Sequence, residues 1–338
     1  MKALLFSPDN LSLKYCKINA PTKIHKDEIV VKVTHSGVCS TDLFITQGKI
    51  DCGPGPIVLG QEISGKVHAT GSDVTEVIQG ENVVINPYNS CSTCRYCTRG
   101  LCSCCSNEGI HSAIGVYKNG GWAEYVTVKK SQIHKIPPEL ELNKAALVHP
   151  LSCILNAIHK LNLSPGSHIF IHGLDLAGFL WASTLHSQGH RNVFVSDKNN
   201  NKKKQLHDMN LGYPFVNEEN IEKYTADVII ECTGSQKSIE KCIKILNPNG
   251  QICFFGNSNP KTEIKCVPYD IINKEIKIIG SVGNAFCFTK AINLAATMRN
   301  RYLNFEKLGI KTFSLENYRE AFLNKKSGYA NKVMFIFE

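Results

Sequence analysis

From about residue 167 the chain alternates short β-branched or aromatic runs with helical stretches, and this alternation restricts the fold more than any other feature. The order is HIFIHG, LAGFLWASTLHSQG, NVFVSD, NKKKQLHDMN, ADVIIECTG, SIEKCIKILNPNG, QICFFG and EIKIIGSV. Strands separated by helices pair side by side through crossovers, which predicts a doubly wound parallel sheet covered on both faces. Residues 1–143 follow another rule. Runs such as EIVVKVTHSG, ISGKVHATG, NVVINPY and AEYVTVKK, broken by Gly, Pro and Asn, predict a compact β domain. A helical stretch, ELNKAALVHPLSCILNAIHKLNL, leads out of it and stops at Ser164-Pro165-Gly166. The end of the chain returns to strand in NKVMFIFE, so the tail is expected to pack back on the first domain. The expected division is a β domain over 1–143 completed by 288–338, with the doubly wound α/β domain over 144–287.

Several function classes drop out. No apolar run approaches the roughly 20 residues of a membrane span, and MKALLFSPDN lacks the pattern of a cleaved signal, so a cytoplasmic protein is expected. The net charge of +9 is scattered apart from Lys202-Lys203-Lys204. It forms no basic face interleaved with aromatics, which argues against nucleic acid as a partner.

Cysteine is abundant, at 15 residues, and six of them fall between Cys91 and Cys105. The spacing Cys91-x2-Cys94-x2-Cys97-x7-Cys105 offers four thiolates to one tetrahedral zinc with no open position, a structural site. Disulfides are the competing reading, which the tight CxxC spacing and a reducing compartment disfavour. Cys102 and Cys104 are surplus.

HIFIHGLDLAGFL has the strand–turn–helix context of a dinucleotide fingerprint, read as Gly173-x-Asp175-x-x-Gly178. The middle glycine normally lets a pyrophosphate approach the backbone, whereas Asp175 adds a Cβ and a negative charge. A like-charge contact at ~5 Å and an effective dielectric of ~20 costs about 3 kcal/mol. Asp175 is also a good N-cap, in which role it would occupy the anion site at the helix start. Asp197, about twenty residues on, stands where an acid binds ribose hydroxyls and selects NAD, while Lys198 and Lys202 keep NADP open. Gly234, Gly250 and Gly256 sit in turns that fit the edge of a cofactor site.

The motifs GVCSTD (37–42), GQEISGKV (60–67), the four-Cys lobe, GGWAEYV (120–126), HPLSC (149–153) and ECTG (231–234) resemble, in order and spacing, the zinc-containing medium-chain alcohol dehydrogenases. The similarity is to the polyol (sorbitol or arabinitol-type) and threonine dehydrogenase branch. It implies a GroES-like β domain, a Rossmann domain, a dimer or tetramer, and a catalytic zinc in the interdomain cleft that binds the substrate alcohol. By that resemblance Cys39 is the first zinc ligand and Thr41 the hydroxyl that relays the substrate proton. Gln61 stands where the family has a histidine ligand, and His149 where polyol members have an acid. Phe44 occupies a position often held by a relay histidine. Cys39, Glu62 and His149 still offer one thiolate, one carboxylate and one imidazole, a coherent zinc shell, with Gln61 a weak neutral donor. The expected function is NAD(H)-linked oxidation of a secondary alcohol on a small hydroxylated substrate. The alternative is a catalytically impaired member that keeps the fold and the structural zinc as a binding or scaffold protein.

Overall fold

A computed structural model describes all residues, 1–338. The chain forms two compact units, one of Met1–Ser152, Gly283–Arg299 and Ile310–Glu338, the other of Cys153–Val282 and Asn300–Gly309. The helix Val148–Lys160 contributes its first turn and a half to the former and the remainder to the latter.

The first unit is a GroES-like β domain organised around the long strand Glu28–Val38. Its apolar residues Ile29, Val30, Val31, Val33 and Val38 sit at or near zero exposure, so consecutive positions on both faces of the strand are covered, and Lys32 is the exposed position among them. This strand pairs antiparallel with Glu62–Thr70, Tyr125–Lys129 and, from the chain's far end, Lys332–Ile336. The tail therefore closes the sheet, as its return to strand suggests. Trp122, fully buried, meets Phe322 and Phe335 edge-on with ring centroids 5.7 and 5.5 Å away, which fastens the tail to the core.

Register decides which side chains meet. Gly37 lies opposite Glu62, and Val38 opposite Val333, so Lys332 falls opposite Cys39 just beyond the strand. Residues directly opposite share a face, as do residues two apart along one strand. Cys39, the Cβ side of Gly37, Glu62 and Lys332 therefore converge on one side of the sheet.

The second unit is a Rossmann-type parallel sheet in the order Val193–Ser196, Ile169–His172, Ala226–Glu231, Leu246–Phe254, Lys277–Gly280. The first two of these strands are buried at every residue, which explains their unbroken apolar sequence. Ile169–His172 has its sequence neighbours on opposite sides, so the strand order reverses there. In open α/β sheets such a switch point opens the ligand crevice at the strands' carboxyl ends. Gly173, at that end, has φ +97°. Five residues on, a Cβ at Gly178 would lie 1.9 Å from the Gly173 carbonyl oxygen. The Gly178→Ala variant must push the helix off the strand. We expect it to lose stability by about 1–3 kcal/mol, the usual scale for an overpacked site, in denaturant titrations.

Candidate active site and metal lobe

The cysteine lobe is a metal site in waiting. The four sulfurs of Cys91, Cys94, Cys97 and Cys105 lie within 4.8 Å of one another. Separations are 4.0 Å for Cys91–Cys97, 3.9 Å for Cys94–Cys105 and 3.5 Å for Cys105–Cys91. Tetrahedral zinc with bonds of about 2.3 Å places its sulfurs roughly 3.8 Å apart, so the donors fit the ion. Backbone amides support the thiolates: Cys94 N–H donates to Cys91 Sγ at 3.4 Å and Glu108 N–H to Cys105 Sγ at 3.3 Å. Amides of Cys97 and Ser106 pull the Cys94 thiol down to about 5. Every cysteine is free, so the disulfide alternative finds no pair, and Cys102 and Cys104 fall outside the cluster.

A second polar group lies inside the β domain. Cys39 is the N-cap of the short helix Ser40–Thr46, and the Asp42 carboxylate accepts the Cys39 N–H at 2.7 Å. Thr41, in the first turn, is half-buried. Gln61, Glu62, Asp42, His149 and Lys332 are all buried. Glu62 Oε1 accepts from Lys332 Nζ at 2.6 Å, with both side chains at most 5% exposed. Glu62 Oε2 rests against Gly37, where a Cβ would sit only 2.1 Å away, so that glycine makes room for the carboxylate. The Gln61 amide terminus is 3.8 Å from Cys39 Sγ.

Electrostatics ties these groups together. Burial, then Asp42 and Glu62, push the Cys39 thiol well above its ordinary value, and Lys332 opposes them. Burial also lifts Asp42 to about 6. Burial and the Lys332 charge lower His149 to about 3, so its imidazole is neutral, the form that ligates metals. Burial works against the Lys332 ammonium, but Glu62 and Cys39 outweigh it and raise its pKa. One ammonium thus faces Cys39, Asp42, Glu62 and His149.

Two buried oxygens, Glu62 Oε2 and Asp42 Oδ1, accept no hydrogen bond. A second cation would balance this acid-rich group and convert Cys39 to thiolate, so the donor chemistry fits zinc. Only the four lobe cysteines, however, form a cluster of three or more His, Cys, Asp or Glu donors at ligating spacing. Cys39, Glu62 and His149 do not form one, and Glu62 is paired instead with Lys332. Neither Lys332 nor Asp42 stands out from the sequence alone. Phe44 lies outside this polar group, half-buried beneath Lys49, whose Nζ is 5.1 Å from its ring centre.

The cofactor candidates gather at the switch point of the second unit. Asp197 Oδ2 accepts the Leu174 N–H at 2.6 Å and Oδ1 accepts the Asn199 N–H at 2.8 Å, which locks the acid to the glycine turn. Asp175 is the N-cap residue of the helix Leu176–Ser187, but its side chain makes no capping bond and is exposed. The anion site at that helix start is therefore not filled by Asp175. Gly234, with φ +66°, passes so near Asn257 that a Cβ would lie 2.2 Å from its carbonyl oxygen. The buried Glu231 carboxylate accepts the N–H groups of Thr233 and Gly234 at 2.9 and 3.0 Å, fixing that turn.

A doubly wound sheet with a glycine turn and anchored acid, joined to a β domain carrying a four-cysteine lobe, defines a two-domain dinucleotide-binding protein of the zinc-lobe type. Comparison with known proteins makes this specific. Residues 25–138 match the alcohol dehydrogenase GroES-like domain, and residues 178–297 the zinc-binding dehydrogenase domain. D-altritol 5-dehydrogenase of Agrobacterium fabrum is 30% identical over 258 residues, 75% of this chain and 76% of that protein. Sorbitol dehydrogenase of Halalkalibacterium halodurans is 27% identical over 321 residues, 91% of each chain. A Sinorhizobium meliloti structure described as a zinc-binding dehydrogenase bound to NADP superposes with a TM-score of 0.89 at 26% identity, covering 99% of both chains. The chain belongs to the zinc-containing medium-chain alcohol dehydrogenase family.

Proposed function

We propose that this protein is an NAD(P)-linked dehydrogenase that moves hydride between a secondary alcohol on a small polyhydroxylated substrate and the nicotinamide. The observation that carries the reading is the buried set Cys39, Asp42, Glu62, His149 and Lys332. Enclosing that many polar and charged groups costs stability that a scaffold has no reason to spend. The altritol and sorbitol dehydrogenases among its relatives support a polyol as the substrate class.

Cys39, Glu62 and His149 supply thiolate, carboxylate charge and neutral imidazole around the zinc position. Zinc bound there would lower the pKa of the substrate hydroxyl. The Thr41 hydroxyl would pass the substrate proton on. Gly173, Gly178, Asp197 and Gly234 line the dinucleotide, and the Asp197 carboxylate disfavours a 2′-phosphate and so favours NAD. Titration with NADH, followed by oxidation assays over a panel of alditols, tests the proposal. Absence of binding at millimolar NADH would retire it in favour of a scaffold.

Asp175 gives a graded test. Because it is exposed, water screens its repulsion of the pyrophosphate. At ~5 Å in bulk dielectric that repulsion is about 0.8 kcal/mol, roughly fourfold in affinity. It grows toward the ~3 kcal/mol of a half-desolvated contact as the cofactor covers it. We expect Asp175→Gly to tighten NADH at least fourfold by fluorescence titration; an unchanged Kd would show that the side chain turns away from the phosphates.

We also infer a homodimer. The edge strand Lys277–Gly280 leaves one backbone edge unpaired, and Val267, Tyr269, Ile272, Ile278 and Val282 are exposed around it. A bare apolar edge of this kind calls for pairing, and a second copy of the same strand satisfies it. The free thiols and the cysteine lobe suit a reducing compartment, which supports placing the protein in the cytoplasm.

A further inference from the structure

We propose that a polar cavity beside the cysteine lobe is a separate binding site, for an uncharged polyhydroxylated molecule of monosaccharide or alditol size. It lies wholly within the first unit and shares no lining residue with the buried group of Cys39, Asp42, Glu62, His149 and Lys332.

Its walls come from residues 86–92, the lobe turn Cys102–Cys104, residues 131–134 and residues 284–289. The volume is about 330 Å³, at the lower end of the roughly 300–1,000 Å³ typical of small-molecule sites. None of the lining residues is Asp, Glu, Lys or Arg, on a chain of net charge +9. Burial lowers the pKa of His134, so the imidazole in the wall is neutral and offers one donor and one acceptor. A charged ligand finds no counter-ion here, whereas hydroxyl groups find amides and other hydroxyls.

Those amides are oriented in advance. Asn284, only 4% exposed, donates from Nδ2 to Asn86 Oδ1 at 2.9 Å, and its backbone carbonyl accepts the Cys287 N–H at 2.7 Å. The side-chain bond leaves Asn284 Oδ1 as an acceptor and Asn86 Nδ2 as a donor. Asn89 is fixed from two sides, donating from Nδ2 to Glu108 and accepting the Ser131 hydroxyl on Oδ1 at 3.0 Å. The Ser131 oxygen keeps its lone pairs for a ligand. Polar groups set before binding reduce the ordering cost of the complex.

The apolar part of the wall is aromatic. Phe288 is buried against His134, with ring centres 4.8 Å apart. Phe286 is 72% exposed and has φ +54°, a left-handed backbone that bulky side chains rarely adopt. Its ring reaches the lobe, where a Cβ on Gly100 would lie 3.7 Å from Phe286 Cε2. A strained turn thus holds a large ring out of the core and at a polar cavity, which is where strain points to function. One face of a sugar or alditol is a row of C–H groups that packs on such a ring while its hydroxyls meet the amides. An aromatic ring, fixed amides and no charge together match that class and disfavour anions.

The test is saturation-transfer NMR on the full-length, zinc-loaded chain with sorbitol and, separately, methyl glucoside. The two arms separate an open chain from a ring, and binding of either supports the site. No cofactor is added, so the result stands apart from the dehydrogenase reading. We expect Phe286→Ala to weaken binding by about fivefold or more, the scale of one aromatic contact. Thr289→Trp fills the cavity from an exposed position in the first turn of the helix Phe288–Met298 and should abolish binding. Both variants should keep the wild-type zinc content, and Cys39→Ala should bind the ligand as the wild type does.

Absence of saturation transfer from both ligands at tens of millimolar would overturn the proposal, as would binding that survives Phe286→Ala and Thr289→Trp alike. Binding lost in Cys39→Ala but kept in Thr289→Trp would place the molecule at the Cys39 group and also overturn it. Displacement by inorganic phosphate would reveal a cation in the wall and refute the uncharged class.

Discussion

Lys332→Met is expected to destabilise the β domain by about 3–5 kcal/mol, the scale seen when one partner of a buried ion pair is removed. The ammonium lies 2.6 Å from Glu62 Oε1, and neither side chain is more than 5% exposed. Without it Glu62 is an uncompensated carboxylate beside Asp42 and the Cys39 sulfur, with no water to replace the lost partner. The double variant Lys332→Met, Glu62→Gln removes both charges and should recover most of the loss, because a neutral pair in a packed site is often no worse than the ion pair it replaces. Urea titrations followed by tryptophan fluorescence in a Trp181→Phe background report on the right unit, since Trp122 sits in that core against Phe322 and Phe335 while Trp181 is buried in the other unit. If the single and double variants unfold at the same urea concentration, the damage comes from lost packing of the lysine stem, and the pair is not what stabilises the site. The same comparison bears on chemistry, because Lys332 is the one cation facing Cys39, Asp42, Glu62 and His149 together.

Lys332 also shows where sequence reasoning stops. In NKVMFIFE the lysine reads as the polar lead-in to an apolar strand. Its burial follows from pairing with a strand some three hundred residues earlier, and nothing local encodes that register. The return to strand was legible; which residue it would deliver to Cys39 was not. The Rossmann unit was easier, because each strand–helix alternation is satisfied by neighbours in sequence and parallel strands buried on both faces leave unbroken apolar runs. Asp175 divides the two kinds of inference. Its residue type and position suggested an N-cap, and it does occupy the N-cap position, but the side chain faces solvent without capping, a rotamer choice that sequence cannot specify. Gln61 was visible as a departure only because Gly60, Glu62 and Gly65 keep the surrounding motif. Its distance from Cys39 needed the strand pairing of the folded chain.

Removing the lobe zinc should have the largest local effect in the molecule. Between Cys91 and Ser112 there are only three short 3-10 turns, Cys97–Arg99, Cys102–Cys104 and Ile110–Ser112, and no strand or α-helix. Cys97 and Cys105, two of the ligands, are its buried apolar residues. A segment with so little core of its own depends on the metal, and structural zinc supplies about 10–16 kcal/mol in small finger domains. Strong chelators should therefore open the lobe, and trypsin should then cut at Arg95 and Arg99, which the zinc-loaded protein protects. The opening should stay local, because Gly109 N–H to Asn89 O at 2.9 Å and Ile114 N–H to Pro87 O at 3.0 Å pin the lobe's base to the sheet. Single serine variants separate ligands from bystanders. Replacing Cys91, Cys94, Cys97 or Cys105 should each expose the arginines to trypsin, while Cys102→Ser and Cys104→Ser should leave the cutting pattern unchanged. A silent Cys105 variant with a damaging Cys102 or Cys104 variant would move the fourth ligand to a neighbouring turn. Proton release offers a second reading of the same event. With the Cys94 thiol already drawn down to about 5 by backbone amides, and Cys97 pushed up to about 12 by burial and by the sulfurs beside it, zinc entry at neutral pH should take its protons chiefly from Cys97 and not from Cys94.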